Sequence, residues 1–216
     1  MTLICGIDES ARGPVIGPLI IAGVLLNKSK EDSFREAGVK DSKLLTQPQR
    51  VKLANFIKRE ADDYFVITVP VDEIDAAVDS TSTNLNWLEA DKSIEIIKKL
   101  DPDVVILDCP STVPKKYEDY VRPHIDKDIK LIVEHKADLN YVACAAASIL
   151  AKCLREEVVT KLKEKFGNIG SGYPSDPTTQ QFLRDNWDKH SGLFRKSWAS
   201  WKKFSNAKKQ KGLDEF

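Results

Sequence analysis

Residues 3–27 read LICGIDESARGPVIGPLIIAGVLLN, and this stretch decides how the fold begins. LICGID and PLIIAGVLL are apolar runs of strand length, and the Gly and Pro residues between them are typical of a turn. The pattern predicts a β-hairpin over residues 3–27. Asp8 and Glu9 would then end the first strand, next to a stiff turn that carries Arg12.

Beyond the hairpin, predicted strands alternate with predicted helices. Further strands are predicted from YFVITVPV (64–71), DPDVVILD (101–108) and KLIVEH (130–135). Helical spacing of apolar residues and helix-start signals predict helices over 47–62, 86–100, 138–166 and 177–188. This order predicts an α/β fold in which helices flank a mixed β-sheet.

The composition is that of an ordinary globular protein. The 216 residues are 42% hydrophobic and 31% charged, which allows one large domain with a proper core. No apolar run approaches the roughly 18 residues of a membrane span, and no secretory signal is recognisable. The four cysteines form no CxxC pair, which favours reduced thiols over a zinc site or disulfides. These features predict a cytoplasmic protein without membrane contact.

The formal net charge is zero, but the charges are unevenly distributed along the chain. Residues 1–135 hold 18 basic and 24 acidic side chains, whereas residues 136–216 hold 15 and 9, so the two parts carry −6 and +6. A basic C-terminal part suits a polyanionic partner, although an ordinary solvated surface explains the same charges.

Four acidic residues lie at predicted strand ends or helix starts, where open α/β sheets build their sites: Asp8, Glu9, Asp108 and Asp138. At about 4 Å, two carboxylates repel by roughly 4 kcal/mol at an effective dielectric near 20, so a cluster persists only around divalent cations. Oxygen ligands favour Mg²⁺ or Mn²⁺, and a pair of such ions is the usual machinery of phosphodiester hydrolysis. Separate structural roles stay open: Asp138 as a helix cap, Asp108 as an ordinary strand-end acid, and Glu9 as a partner of Arg12.

Six segments, in order, carry a resemblance to one family. They are GIDESARGPVIGPLIIAGV, GVKDSKLLT, VVILDC, EHKAD, AAASILAK and GSGYPSDP. Together they resemble ribonuclease HII, archaeal-type enzymes in particular, from Ile4 to about Trp201. The resemblance implies a ribonuclease H-like fold with a small helical C-terminal region. It also implies an endonuclease that cleaves RNA in RNA–DNA hybrids and single ribonucleotides in duplex DNA, leaving 5′-phosphate and 3′-hydroxyl ends.

The resemblance also implies a division of the chain. Residues 1–175 would form the catalytic domain, residues 176–206 a helical substrate-binding region, and residues 207–216 a flexible tail. The protein is expected to act as a monomer.

The family's acidic tetrad maps onto the four acids already singled out, Asp8, Glu9, Asp108 and Asp138. The resemblance implies that all four are catalytic residues that bind two Mg²⁺ or Mn²⁺ ions. Asp8 and Asp138 would be the shared ligands, and Glu9 and Asp108 would complete the coordination.

A second family segment, Gly-Arg-Gly, holds the phosphate and the 2′-hydroxyl of the ribonucleotide. It reads Ala11-Arg12-Gly13 in this chain, so Arg12 and Gly13 carry over and Ala11 is a departure. If the first position needs a positive φ, alanine costs about 1 kcal/mol or more there. Tyr173 matches the family tyrosine that packs against the sugar next to the cleavage site.

Further residues in family motifs are expected to serve substrate binding. Lys43 matches a lysine near the nucleic-acid backbone, and the following residue, often lysine in the family, is Leu44 here. The others are Lys136, Ser148 and Lys152, expected to support substrate or site geometry, and Arg195, expected to bind substrate from an Arg-x-x-Trp pattern. His135 is expected to be structural.

The chain ends QKGLDEF, residues 210–216, which looks like the sliding-clamp interaction peptide. Gln210, Leu213 and Phe216 fill its glutamine, aliphatic and aromatic positions. Leu213 and Phe216 would enter an apolar pocket of the clamp while Gln210 makes a polar contact. A sliding clamp is therefore the expected protein partner.

Two other functions stay open from the sequence. Another ribonuclease H-like nuclease, such as a junction resolvase, would not require a 2′-hydroxyl. A non-catalytic or weakly active hybrid-binding adaptor tethered to the clamp would explain the departure at Ala11, although the intact acidic tetrad argues against it.

Overall fold

A computed structural model of the chain describes residues 1–40, 42–190 and 192–211, without the side chains of residues 207–211. Its strands are β1 (Leu3–Ser10), β2 (Leu19–Asn27), β3 (Asp63–Val69), β4 (Val104–Asp108) and β5 (Lys130–Glu134). Its helices are α1 (Glu31–Glu36), α2 (Gln47–Glu60), α3 (Val71–Val78), α4 (Leu85–Leu100), α5 (Pro114–Val121), α6 (Ala137–Asn140), α7 (Val142–Phe166), α8 (Pro177–Asn186) and α9 (Ala199–Lys211). Within the described residues the strands form one five-stranded sheet in the order β3-β2-β1-β4-β5.

The predicted hairpin is confirmed: β1 and β2 pair antiparallel along the whole of β1. β1 also pairs in parallel with β4, and β4 in parallel with β5, so the sheet is mixed as predicted. In the β1–β4 register Ile7 lies opposite Leu107. Asp8 and Asp108, the next residue of each strand, therefore lie side by side at one edge of the sheet.

The chain divides into two compact units that are each discontinuous in sequence. Unit 1 comprises Met1–Ser10, Ile20–Thr68 and Leu85–Arg155, and unit 2 comprises Ala11–Leu19, Val69–Asn84 and the chain from Glu156 onward. The functional boundaries expected after residues 175 and 206 remain predictions.

The core of unit 1 joins the sheet to the first part of α7. The residues 143–147 of this helix are alanines and one cysteine, and all of them are buried. At Gly6 of β1 an added Cβ would lie 2.2 Å from the backbone carbon of Ala143 and from the backbone nitrogen of Cys144. A glycine on the strand and small residues on the helix thus let the two backbones pack closely.

The core of unit 2 is a separate apolar cluster. Val15, Ile169, Leu183 and Phe194 are among its buried members, and partly buried aromatic residues such as Trp198 pack against it. Two backbone links tie the segment 11–19 into this unit: Val15 N–H donates to the Gly172 carbonyl at 2.8 Å, and Arg195 N–H donates to the Val15 carbonyl at 2.8 Å.

The prediction of one helix over 138–166 is wrong, because the chain forms α6 and then α7. Lys136 has a left-handed backbone (φ 59°, ψ 40°), and Asp108 Oδ1 accepts a hydrogen bond from the Ala137 N–H at 3.0 Å. α6 therefore starts at Ala137 and ends at Asn140, because the next residue, Tyr141, has an extended backbone (φ −123°, ψ 121°). α7 begins afresh at Val142.

Other elements agree with the sequence apart from their ends and the short helices. α8 ends at Asn186, and β3 ends at Val69, before Pro70. α1, α3 and α5 were not predicted, and α9 overlaps the helical region 176–206 that the resemblance implied. All four cysteines are free and buried. Among the described residues, no helix combines the length and the apolar composition that crossing a bilayer requires.

Candidate active site

Three of the four predicted acids meet at one place in unit 1. Asp8 lies near the end of β1 and is 5% exposed, and Asp108 is the last residue of the neighbouring strand β4 and is half-buried. Asp138 lies in the first turn of α6 and is 4% exposed. The Asp108 carboxylate accepts from the first residue of α6, so β4 holds the helix that carries Asp138.

The charges of these acids act on one another. Burial raises the pKa of Asp8 to about 6, a hydrogen bond from Ser148 opposes the rise, and the charge of Asp108 adds to it. Burial also raises the pKa of Asp108, against hydrogen bonding from Ala137, and the charge of Asp138 adds to this rise. Two of the carboxylates are thus held where ionisation is disfavoured unless positive charge is supplied.

Asp138 does not cap a helix, which removes one of the alternatives left open by the sequence. The N-cap of α6 is Lys136, and its side chain forms no capping hydrogen bond. The Oδ1 atom of Asp138 is buried and has no hydrogen-bond partner. A buried carboxylate oxygen in this state is strongly unfavourable unless a cation or a donor satisfies it.

Glu9 continues the same strand. Its backbone N–H donates to Asp8 Oδ1 at 2.7 Å, which helps to orient the neighbouring carboxylate. Its side chain is half-buried, and its charge is one of the groups that raise the pKa of the buried Tyr117, after burial and the charge of Glu89.

The donor set fits a hard divalent cation. No group of three or more His, Cys, Asp or Glu side chains among the described residues is arranged as a ready-made metal site. The charges act on one another in pairs instead, that of Asp108 on Asp8 and that of Asp138 on Asp108. All the available donors are carboxylate oxygens, one of them buried and unsatisfied, which is the chemistry that Mg²⁺ and Mn²⁺ prefer.

A network of buried and half-buried polar side chains supports the Asp8 carboxylate. Ser148 is fully buried and hydrogen-bonds to the Asp8 carboxylate. Lys152 Nζ donates to Ser148 Oγ at 2.6 Å and also to Ser42 Oγ, and the two hydroxyls lie 2.9 Å apart. Ser148 and Lys152 lie one helical turn apart on α7, so both reach the same network. That they support site geometry stays a prediction. Sequence reasoning missed Ser42, although it lies next to Lys43 in the KDSK segment.

In unit 2 the Ala11-Arg12-Gly13 segment faces Tyr173. Ala11 is buried and has a φ of 69°, the left-handed conformation that glycine adopts freely. Gly13 is exposed, and an added Cβ there would lie 3.4 Å from Cε1 of Tyr173. Tyr173 is 39% exposed, so its ring and the Gly13 backbone line one surface. Arg12 lies between them in sequence and is half-buried.

Comparisons with known proteins show the family of the chain. The model of the family Ribonuclease HII matches residues 5–201. The chain belongs to the ribonuclease HII family. The Ribonuclease HII of Thermococcus sibiricus is 40% identical over 203 residues, which cover 92% of this chain and 89% of the relative.

Solved structures of ribonuclease HII enzymes have the same fold. The ribonuclease H2 from Pyrococcus horikoshii has a TM-score of 0.87 at 36% identity, covering 95% of this chain and 98% of that one. The PCNA:RNase HII complex from Archaeoglobus fulgidus contains a chain with a TM-score of 0.81 at 37% identity, covering 94% and 95%. As a member of the ribonuclease HII family, the chain is a metal-dependent hydrolase with the ribonuclease H-like fold.

Two lysines expected to contact ribonuclease HII substrates are exposed in unit 1. They are Lys43 and Lys136. Burial raises the pKa of Asp108, and the charge of Lys43 is among the groups that oppose this rise.

His135 has a structural contact. Its Nδ1 lies 3.2 Å from the Cys109 carbonyl oxygen, and Nδ1 is the donor because a carbonyl can only accept.

Arg195 differs from the expectation for a substrate-binding residue. Its side chain is fully buried and donates to backbone carbonyls, so the prediction that it contacts substrate directly is corrected.

The expected clamp peptide lies outside the described residues in the case of Leu213, Phe216 and the side chain of Gln210.

Proposed function

We propose that this member of the ribonuclease HII family cleaves the RNA strand of RNA–DNA hybrids, and single ribonucleotides embedded in duplex DNA, leaving 5′-phosphate and 3′-hydroxyl ends. The observation that carries the proposal is the buried, unsatisfied Oδ1 of Asp138 at the sheet edge where Asp8 and Asp108 interact. A carboxylate cluster of this kind suits phosphodiester hydrolysis assisted by two Mg²⁺ or Mn²⁺ ions.

Asp8 and Asp138 are proposed as the shared ligands of the two ions, with Glu9 and Asp108 completing the coordination. When bound, such ions lower the pKa of an attacking water and stabilise the leaving 3′-oxygen. The protein's own part is orientation. Ser148 and Lys152 hold the Asp8 carboxylate, and the Ala137 N–H holds that of Asp108.

Selection of the ribonucleotide is assigned to the Ala11-Arg12-Gly13 segment and Tyr173. Because Gly13 has no side chain, the surface beside the Tyr173 ring stays open, and a sugar can stack there. Arg12 is proposed to hold the phosphate, and the backbone of the segment to read the 2′-hydroxyl. Lys43, Lys136 and the basic C-terminal part would bind phosphates of the duplex.

The experiment uses a DNA duplex with one embedded ribonucleotide, an RNA–DNA hybrid and an all-DNA duplex, each with Mg²⁺, Mn²⁺ or a chelator. We expect metal-dependent cleavage of the first two substrates only. Asp138→Asn should abolish cleavage, by about 10³-fold or more, and leave hybrid binding intact, because it removes a metal ligand but no nucleic-acid contact. Asp128→Asn, an exposed acid of the same unit, is the matched control and should cleave normally.

Each alternative has its own outcome. Equal cleavage of the all-DNA duplex would favour a junction resolvase. Hybrid binding without cleavage under any metal would favour the adaptor. Near-normal turnover by Asp138→Asn would remove Asp138 from the metal site.

A sliding clamp is the proposed protein partner. The relative from Archaeoglobus fulgidus was solved in a PCNA:RNase HII complex. Gln210, Leu213 and Phe216 fill the three positions of a clamp-interaction peptide at the end of this chain. A monomer bound to the clamp by this peptide would be delivered to newly made DNA.

A further inference from the structure

We propose that Arg195 is a positioning residue that holds the backbone of Ala11-Arg12-Gly13 in its working conformation, and that it offsets the strain at Ala11. The inference rests on the proposed function only for the role of the segment in selecting the ribonucleotide. The contacts themselves lie within unit 2.

The Arg195 guanidinium binds three carbonyls of one short stretch of backbone. Nη2 donates to the Ala11 carbonyl at 2.7 Å, Nη1 to the Arg12 carbonyl at 2.9 Å, and Nε to the Gly17 carbonyl at 2.9 Å. The side chain is fully buried. Because the planar guanidinium presents its donors in a fixed geometry, three simultaneous hydrogen bonds fix the directions of the three carbonyl groups.

Trp198 contacts both Arg195 and the segment that Arg195 holds. The centroid of its ring lies 4.9 Å from the guanidinium carbon of Arg195, and its Nε1 donates to the Gly13 carbonyl at 3.2 Å. The arginine and the tryptophan of the Arg-x-x-Trp pattern therefore donate hydrogen bonds to three successive carbonyls, those of Ala11, Arg12 and Gly13.

Asp75 of α3 supports the turn that carries both residues. Its carboxylate accepts from the backbone N–H groups of Lys196 and Ser197 at 2.9 and 3.0 Å, and from Ser197 Oγ at 2.6 Å. Sequence reasoning missed Asp75, because it is distant along the chain from both motifs. Its position identifies α3 as part of the support for the 11–13 segment.

Ala11 is the residue that needs this support. At a φ of 69° its Cβ is unfavourable, and a free segment would relax toward a negative φ. Relaxation would rotate the Ala11 carbonyl, which Arg195 holds, and would redirect Arg12. A glycine at position 11 has no such preference, so Ala11 and Arg195 are energetically coupled.

The experiment is a double-mutant cycle with Ala11→Gly, Arg195→Lys and the double variant. Lysine keeps the charge but cannot form the three-carbonyl fork. We expect Arg195→Lys to lower by about tenfold the ratio of binding affinities for a duplex with one ribonucleotide and for an all-DNA duplex, because charge-assisted hydrogen bonds are lost. In the Ala11→Gly background the loss should shrink to about threefold, because the backbone then favours the required conformation unaided.

Tryptic cleavage after Arg12, followed by mass spectrometry, reports on the segment without any nucleic acid. We expect Arg195→Lys to accelerate this cleavage and Ala11→Gly to reverse much of the acceleration. Cleavage after Arg184, exposed on α8, is the internal control and should not change.

Two further measurements complete the test. Mn²⁺ binding by Arg195→Lys should equal that of wild type, since the four proposed ligands belong to unit 1. Asp75→Asn keeps Arg195 and should produce the same effects more weakly, which covers the case in which Arg195→Lys does not fold.

Wild-type selectivity and wild-type proteolysis in Arg195→Lys would overturn the proposal. So would effects of the same size in the wild-type and Ala11→Gly backgrounds, which would mean that Arg195 supports only the fold. If the wild-type protein cleaves no substrate but the proteolysis follows the expected cycle, the proposed function falls and the positioning role of Arg195 stands.

Discussion

Asp176 shows how much of the surface proposed to face the substrate depends on one ionised side chain. Its Oδ1 accepts from the Thr178 N–H at the start of α8, and its Oδ2 accepts from the Ser171 N–H at 2.6 Å. These hydrogen bonds lower the pKa of Asp176 to about 2, with that from the Ser171 backbone as the largest cause. The loop that presents Tyr173 is thus closed at both ends by the Asp176 carboxylate.

The pKa of Asp176 predicts a specific dependence of stability on pH. The folded-state pKa is about 2 and the ordinary value is 3.8, so its contribution to stability is complete above pH 4 and is lost as the pH falls toward 2. Asp176→Asn keeps the helix cap but cannot accept from both N–H groups and does not titrate. We expect wild type to be the more stable protein above pH 4, and the difference to shrink below pH 4 until most of it is lost at about pH 2.

Urea unfolding of both proteins at a series of pH values checks this expectation. Asp185→Asn on the exposed face of α8 is the control for the loss of a surface carboxylate. A stability difference between wild type and Asp176→Asn that stays constant from pH 6 to pH 2 would contradict the assignment.

At the scale of elements, the contact of β1 with α7 decides where Asp8 lies. Gly6 is two residues before Asp8 on the same strand, and α7 carries Ser148 and Lys152, whose hydrogen bond and charge act on this carboxylate. The glycine allows the strand backbone to touch the helix backbone. The packing of two elements thus sets the position of a proposed metal ligand.

Gly6→Ala should therefore destabilise unit 1 severely. The new Cβ would lie 2.2 Å from backbone atoms of Ala143 and Cys144, and backbone cannot move aside as a flexible side chain can. We expect a loss of about 3 kcal/mol in the free energy of unfolding, measured by chemical denaturation. Gly192→Ala is the matched control, because no atom lies within 4 Å of its added Cβ. A Gly6→Ala protein as stable as this control would show that strand and helix are not in close contact.

The elements also show what periodicity can predict. The hairpin and the strands at 63–69, 104–108 and 130–134 have strong apolar patterns, and the sequence predicted all of them. α1, α3 and α5 are short, with six to eight residues, and their patterns are too brief to stand out. The break between α6 and α7 depends on a hydrogen bond from Ala137 to Asp108, residues 29 apart in sequence, which no local pattern reveals.

The site was predictable to a similar extent. Positions at strand ends marked the four acids, and the family resemblance supplied their roles and those of the Ala11–Gly13 segment. Ser148 and Lys152 were expected from the resemblance, but their partner Ser42 and the supporting residue Asp75 were not. Ser42 and Ser148 meet across 106 residues, and Asp75 and Ser197 across 122, so only the folded chain shows what each one holds.

At the scale of the whole molecule, each of the two compact units is made of segments that lie far apart in the sequence. The segment 11–19 belongs with residues 69–84 and with the chain from 156 onward, through links such as Val15 to Gly172. The acids at 8, 108 and 138 belong to the other unit. Groups proposed for metal binding and for ribonucleotide selection are therefore adjacent in sequence at residues 8–13 but belong to different units.

The last seven residues, QKGLDEF, carry a prediction about the whole protein in its assembly. Deletion of residues 210–216 should abolish binding to the sliding clamp of the source organism, measured by isothermal titration calorimetry, because it removes both apolar anchors and the glutamine. Cleavage of short duplexes should be unchanged, since the clamp adds affinity for long DNA but takes no part in the chemistry. The sharper variant is Leu213→Ala with Phe216→Ala. Its matched control changes the intervening positions, Asp214→Asn with Glu215→Gln, and should bind the clamp as wild type does. Unchanged clamp binding by the truncated protein, or equal loss in both double variants, would show that another surface or simple charge attraction holds the clamp.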